Sequence, residues 1–319
     1  MSIQQATLPE TDESLARGAR PDDGGRRGPR PGAGRVVAWA ALVVVVIVTL
    51  FPFLWMFRTA FSSNGALYTD PTSPLPVGFS WGGFERVFGL QSTEEAIAQG
   101  GSGAQLDFWL YLRNSVIVST GITICQVTFS AMAAYAFSRL HWRGRDAVFA
   151  IFLLSLMVPV IFTLLPNFLL VRDLGLIDNL LGIMLPSMFM TPFAIFFMRQ
   201  FFMGVPADLE EAAYLDGASK ARVFFTIIVP LNIGPIATIS ILTYINAWND
   251  YLWPLMVSYT DDSRVLNVAL GTFTAQTPQT GPDWAGLMAA TIVAALPMLI
   301  LFSVFARRIV NSIAFTGIK

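Results

Sequence analysis

The feature that most constrains this chain is where its charges are missing. Six stretches contain no Asp, Glu, Lys or Arg: 36–57, 114–138, 147–171, 179–198, 223–249 and 284–306, lasting 22, 25, 25, 20, 27 and 23 residues. A helix rises 1.5 Å per residue, so about 20 apolar residues cross the hydrocarbon of a bilayer. Hydrocarbon offers no partner to a bare amide, so each crossing must close its own hydrogen bonds as a helix. The expected fold is all-α, a polytopic membrane bundle of six transmembrane helices over 36–319. The fifth stretch is expected to enter the membrane only near Pro230, because 223–228 reads better as surface helix.

Composition agrees. Charged residues make up 13% and hydrophobic residues 54%, whereas a soluble domain carries about 25% charge. That deficit sets the chain apart from disordered chains, nucleic-acid-binding chains and ordinary soluble enzymes. A single cysteine, Cys125, leaves no internal disulfide framework, and a single histidine, His141, argues against a histidine-based zinc site.

The net charge of −1 hides an asymmetry. Of the 20 lysines and arginines, fifteen fall before the first stretch, in the second and fourth connections or after the sixth stretch; the remaining five are Arg58, Arg86, Arg113, Arg172 and Arg264. Positive residues gather on the cytoplasmic side, so both termini are expected there. Residues 1–35, rich in Gly, Pro and Arg, bury too little to offset the entropy of ordering and read as a disordered cytoplasmic tail. Two external connections are long. Residues 59–107 hold prolines, an aromatic patch (Phe79, Trp81, Phe84, Phe88) and a bland segment over 91–105; residues 257–283 are polar.

The most informative stretch is the cytoplasmic loop over 205–229. Asp208 with Glu211 reads as an N-cap and capping-box partner, and acids in a first turn suit the helix dipole. Gly217 falls where a helix of about two turns ends, in the left-handed geometry glycine tolerates. Ser219 can cap a second helix, which Pro230 bends or restarts. This makes a helix-turn-helix whose Ala212 and Ala213 give another protein a flat approach. Read on capping alone, it could equally be a solvated connector.

The spacing goes further. Glu211-Ala212-Ala213, Gly217, Ile227, Val229 and Pro230 resemble the signature of ATP-binding-cassette importer permeases, with Val229 in place of the more usual Leu. The stretches 113–119, 133–139, 199–202 and 248–254 are similar to the smaller inner-membrane permease subunit of maltose-type carbohydrate importers. The resemblance implies a bacterial plasma-membrane pore shared with a second permease subunit, two cytoplasmic ATP-binding-cassette ATPase subunits and an external solute-binding protein. It also implies a coupling loop that docks on the ATPase through Asp208, Glu210, Glu211, Ala212, Ala213, Tyr214, Asp216 and Gly217. No G-x-x-x-x-G-K-[ST] loop occurs, so no cofactor is expected on this chain; ATP and Mg are expected on the partner ATPases.

A second constellation lies at the outer end of the fifth stretch. Asn246, Asn249, Asp250 and Trp253 recur at helical spacing with Trp248 beside them. Polar groups at membrane depth face a pathway or a partner helix, and amides, a carboxylate and indoles suit a polyol. The bland alternative is an interfacial aromatic belt. Prolines 159, 166, 186, 192, 235 and 297 punctuate the spans, and small residues from Ser119 to Ala134 offer a close-packing face. A secondary transporter or channel would need ionisable relays in several spans, and a membrane enzyme a nucleophile–base pair or metal ligands; the sequence supplies neither. No catalytic or metal-binding residue is expected.

Overall fold

The computed structural model describes residues 33–102, 106–274 and 281–314, so the tail expected over 1–35 lies outside the described residues except for its last three. Among the described residues the fold is all helical, and one isolated antiparallel bridge, Ser62 to Phe79, stands where a strand could have formed. The chain divides into two units at Phe51 and Pro52, and the packing below concerns the second.

Three helices are long and apolar enough to cross a membrane singly: α1 (Ala33–Ala60), α5 (Phe108–Arg139) and α16 (Trp284–Ala314). They match the first, second and sixth charge-free stretches. The other three stretches are interrupted, each at a proline. The third was expected as one crossing and is instead α6 (Arg145–Ser155) followed by α7 (Ile161–Asp173). Pro159 has no amide to donate to Ser155, and its ring crowds that carbonyl, so α6 stops at Ser155.

The fourth stretch is α8 (Leu180–Met184), a 3₁₀ turn over Leu185–Ser187 and α9 (Pro192–Met203), bent by 52°. Thr191, forced out of the helical region by the proline after it, is extended at φ −108° and ψ 146°. The fifth is bent most. α11 (Lys220–Val223), a π-turn over Phe224–Ile228 and α12 (Val229–Leu231) meet α13 (Ile233–Asn249) at 81°. Pro230 withholds a donor from Thr226, and the chain answers by widening to a π-turn just before it. Asn232 then fills the bend, its side chain donating to the Ile228 carbonyl at 2.8 Å.

α5 is the axis of the second unit, packed along α9 on one side and α13 on the other. The small-residue face read from the sequence lies in these contacts: Ser119, Ser130, Ala131 and Ala134 are buried. Without bulky side chains the backbones approach closely, and dispersion contacts accumulate where lipid supplies no hydrophobic drive. One end of the bundle is closed by Tyr135, Ile195, Met198, Phe202 and Phe224, the other by Trp248, Leu266, Phe273 and Ala289.

Outside the bundle, α2 (Asn64–Thr69), α3 (Gly82–Val87) and α4 (Thr93–Ala98) fold the 59–107 connection into a cap. Its aromatic patch does pack: Phe61 lies 5.0 Å, centroid to centroid, from both Trp81 and Phe84. The segment called bland over 91–105 contains α4, opened by a full capping box in which Ser92 accepts from the Glu95 amide and Glu95 accepts from the Ser92 amide. The remaining elements are α10 (Ala207–Leu215), α14 (Leu252–Val257) and α15 (Leu266–Leu270).

Candidate functional site

The 205–229 loop folds as two helices joined at Gly217. α10 begins two residues earlier than the capping pattern suggested: Pro206 is the N-cap, Asp208 stands inside the first turn, and the expected Asp208–Glu211 box does not form. Proline at the entry presets the backbone and has no amide to leave unpaired, which displaces the start. The exit is as read. Gly217 takes φ +81°, its amide donates to Tyr214 and the Ala218 amide to Ala213, the paired bonds of a Schellman motif. Ser219 caps α11 by accepting from the Arg222 amide.

These bounds fix the rotation of α10, and the rotation sorts the residues. Glu210, Ala213 and Tyr214 turn toward the bundle. Glu210 is 6% exposed, its carboxylate 3.1 Å from Nε of Arg139 at the end of α5. Arg139 also donates to the carbonyls of Phe202 and Val205. Tyr214 meets Tyr135 hydroxyl to hydroxyl at 3.3 Å, and Ala213 rests on the core cluster. The opposite face presents Asp208, Glu211, Ala212 and Leu215, all exposed, with Asp216 and Gly217 exposed at the turn. Leu215 is 90% exposed. This exposed face is acidic, with Leu215 bare at its C-terminal end.

The second constellation is only partly brought together. α13 ends at Asn249 and Asp250 is extended, with φ −65° and ψ 129°. A continuous helix would drive the Pro254 ring into the Asp250 carbonyl, so the run breaks there and Trp253 restarts on α14. Trp248 and Trp253 point into the chain: Trp248 stacks on Tyr244, and Trp253 donates its indole N–H to the Ile183 carbonyl at 3.0 Å. Asn246 and Asn249 are exposed, in line with Leu242 one turn before. Asp250 is half-buried beside them.

Two clusters escaped the sequence reading. Gln126 on α5 donates to the hydroxyls of Thr191 at 3.2 Å and Thr243 at 3.5 Å, and Ser130 accepts from the Thr191 amide. Three helices are thus pinned at the break between α8 and α9; the lone amide in an apolar run was the available signal. The other is Asp178, the non-glycine residue at positive φ, +62°. Its Oδ1 accepts from the amides of Tyr259 and Thr260 and the hydroxyl of Ser263. Burial alone would raise its pKa, but the Ser263, Thr260 and Tyr259 bonds outweigh it and hold the carboxyl down at about 2. Among the described residues no group of three or more His, Cys, Asp or Glu side chains gathers as a metal site.

Comparison with known proteins identifies the family of the chain. Residues 126–314, which contain α10 and α13, match the family of binding-protein-dependent transport system inner membrane components. The chain is 30% identical over 290 residues to the trehalose/maltose transport system permease protein MalG of Thermococcus litoralis, covering 89% of this chain and 97% of that one. It is 29% identical to the diacetylchitobiose uptake system permease protein NgcG of Streptomyces coelicolor, over 87% of each chain. It is also 30% identical to the sn-glycerol-3-phosphate transport system permease protein UgpE of Pectobacterium atrosepticum, over 85% of this chain and 93% of the relative. A chain in the crystal structure of a bacterial ABC transporter that imports alginate has the same fold, with a TM-score of 0.70 at 24% identity over 85% of this chain and 95% of that one. The resemblance read from Glu211, Gly217 and Pro230 is thereby placed: the chain belongs to the binding-protein-dependent transport system inner membrane component family.

Proposed function

We propose that this chain is the permease half of an ATP-driven importer for a carbohydrate or related polyol. Its six charge-free stretches cross the bacterial plasma membrane, with α6 and α7 together forming the third crossing and both termini cytoplasmic. A second permease completes the pathway, an external solute-binding protein delivers the solute, and two cytoplasmic ATPase subunits bind ATP and Mg. The observation that carries this reading is the division of α10 into two faces. One is held to the bundle by the Arg139–Glu210 pair; the other offers Asp208, Glu211, Ala212 and the 90% exposed Leu215 to a partner.

A helix clamped on one side and docked on the other transmits displacement. Closure of two ATPases moves their docked helices, and α5, joined to α10 through Arg139, tilts with them. The resulting rigid-body transition alternates access, each ligand biasing it through its different contacts in the two states. The exposed amides of Asn246 and Asn249 face the pathway, where they hydrogen-bond solute hydroxyls and escape the cost of meeting lipid.

The test is purification of this chain with its membrane and cytoplasmic partners. An ATPase is expected to co-elute, with turnover that rises when binding protein and sugar are both present. Leu215→Asp is expected to abolish co-elution while the chain stays monodisperse. Uptake driven by an ion gradient without nucleotide, or an ATPase still bound and coupled in Leu215→Asp, would overturn the reading.

A further inference from the structure

Where α1 ends and α16 begins, a cavity of about 340 Å³ opens between Trp55, Arg58, Leu67, Tyr68, Trp284 and Met288. Trp55 lies in the last turns of one apolar helix and Trp284 opens another, so the cavity sits where spans leave hydrocarbon, the depth at which indoles are favoured. Its walls are mostly apolar or aromatic, with the Thr59 hydroxyl and one charge as the exceptions. Arg58 lines it at only 5% exposure.

The bonding of Arg58 is incomplete for a buried cation. Nε donates to the Ser73 carbonyl and Nη2 to the Asp70 carbonyl, each at 2.9 Å, and the guanidinium carbon lies 5.0 Å from the centre of the Trp55 ring. Those partners orient it but carry no negative charge. None of the ion pairs among the described residues includes Arg58. Arg86, equally buried but in the cap, is matched by Asp283. A guanidinium withdrawn from water without an anion is costly. A phosphodiester supplies that anion in the geometry a guanidinium recognises best. Free phosphate would leave the aromatic walls without a partner, so the ligand must carry an apolar stem as well.

We propose that this cavity is a binding site for one membrane phospholipid, with its phosphodiester at Arg58 and its glycerol and upper acyl region against Trp55, Trp284 and Met288. The site is independent of the transport reading and of which membrane face the cap occupies, since α1 and α16 bring both indoles to the same face. Tyr68 closes one wall by donating its hydroxyl to the Pro282 carbonyl at 2.9 Å.

Native mass spectrometry of the full chain in mild detergent tests this, with phosphatidylglycerol, a diacylglycerol of the same acyl chains and inorganic phosphate as probes. The wild type should retain one phosphatidylglycerol. Arg58→Gln should weaken retention by about tenfold or more, the loss of one charge-assisted pair, and Met288→Trp, which fills the cavity with the Arg58 bonds intact, should weaken it as strongly by excluding the stem. A photoactivatable phosphatidylglycerol should label wild-type peptides containing Trp55 or Trp284, a result that depends on no variant. Equal retention of diacylglycerol would reduce the cavity to an apolar slot, and displacement by inorganic phosphate at equal strength would make it a free-anion site. Retention untouched in both variants, or labelling elsewhere only, would put the lipid at another place. Each of these results overturns the proposal.

Discussion

Glu210 and Glu211 are neighbours in sequence and opposites in consequence. One turns inward to Arg139, the other outward to solvent. Removing one member of a nearly buried pair strands the other charge, so Arg139→Met and Glu210→Gln should each lower the thermal midpoint of the purified chain. Their double-mutant cycle should show a coupling of about 1–3 kcal/mol, while Glu211→Gln stays within about 0.5 kcal/mol of wild type. A coupling near zero would make the pair incidental. The sequence could not sort these acids, because an N-cap at Asp208 and one at Pro206 differ by two residues, about 200° of helix rotation. Asp178 argues from charge in the same way. Its folded pKa lies below the ordinary carboxylate range, at about 2, so its contribution is complete at neutral pH. That contribution shrinks once the unfolded chain begins to take up the proton, from about pH 4, and is gone below about pH 2. Asn tolerates the same left-handed backbone. The midpoint difference between wild type and Asp178→Asn should therefore hold at neutral pH and narrow across that acid window; a pH-independent difference would remove the charge from the explanation.

At the scale of elements, prolines decide where the apolar runs stop being straight. Long charge-free runs gave α1, α5 and α16 directly, although Pro52 and Pro297 lie inside two of them without ending the helix. Pro159, Pro192 and Pro230 were each visible as breakers, whereas Pro254 was passed over when 246–253 was read as one helix face; the size of the bends, 52° and 81° for the two bent pairs, depends on what the neighbours can fill. Asn232 bonding back to Ile228 shows that filling. α4 was legible and passed over: Ser92 and Glu95 spell a capping box, but no apolar period follows it. Gly217 was legible for the right reason. At φ +81° with open space around its missing Cβ, a side chain there meets backbone strain and no clash. Gly217→Asn should be nearly neutral, and Gly217→Val should cost about 1–2 kcal/mol of stability in a thermal or denaturant melt. Equal stability of the two variants would mean that the turn relaxes and is not a fixed hinge.

At the scale of the whole molecule, two kinds of contact hold what sequence distance keeps apart. Within the bundle the contacts are small-residue faces, which the alternation of Ser, Gly and Ala on α5 announced. Between the cap and the bundle, apolar packing that places Val87 in one cluster with Ala289 and Ala290 is joined by an ion pair that nothing local announces: Arg86 and Asp283 are 197 positions apart. Asp283 is fully buried, accepting a hydrogen bond from Nη2 of Arg86 at 2.9 Å, with Nε of the same guanidinium paired to it by charge at 2.6 Å. It also accepts from the amides of Ser102 and Gly286, so one carboxylate joins the 59–107 connection, the start of α16 and the Arg86 guanidinium. Because every oxygen is engaged, loss of either side chain leaves a buried charge with no water to replace its partner. Asp283→Asn and Arg86→Met should each destabilise the chain by about 3–5 kcal/mol. Replacing both together with Met should cost less than the sum, since no charge is then stranded. The cap is the part that loosens, so proteolysis within residues 59–107 should quicken in each single variant while α5 stays protected. Uniform proteolysis of cap and bundle alike would show that the pair supports the entire fold and does not merely fasten the cap to it.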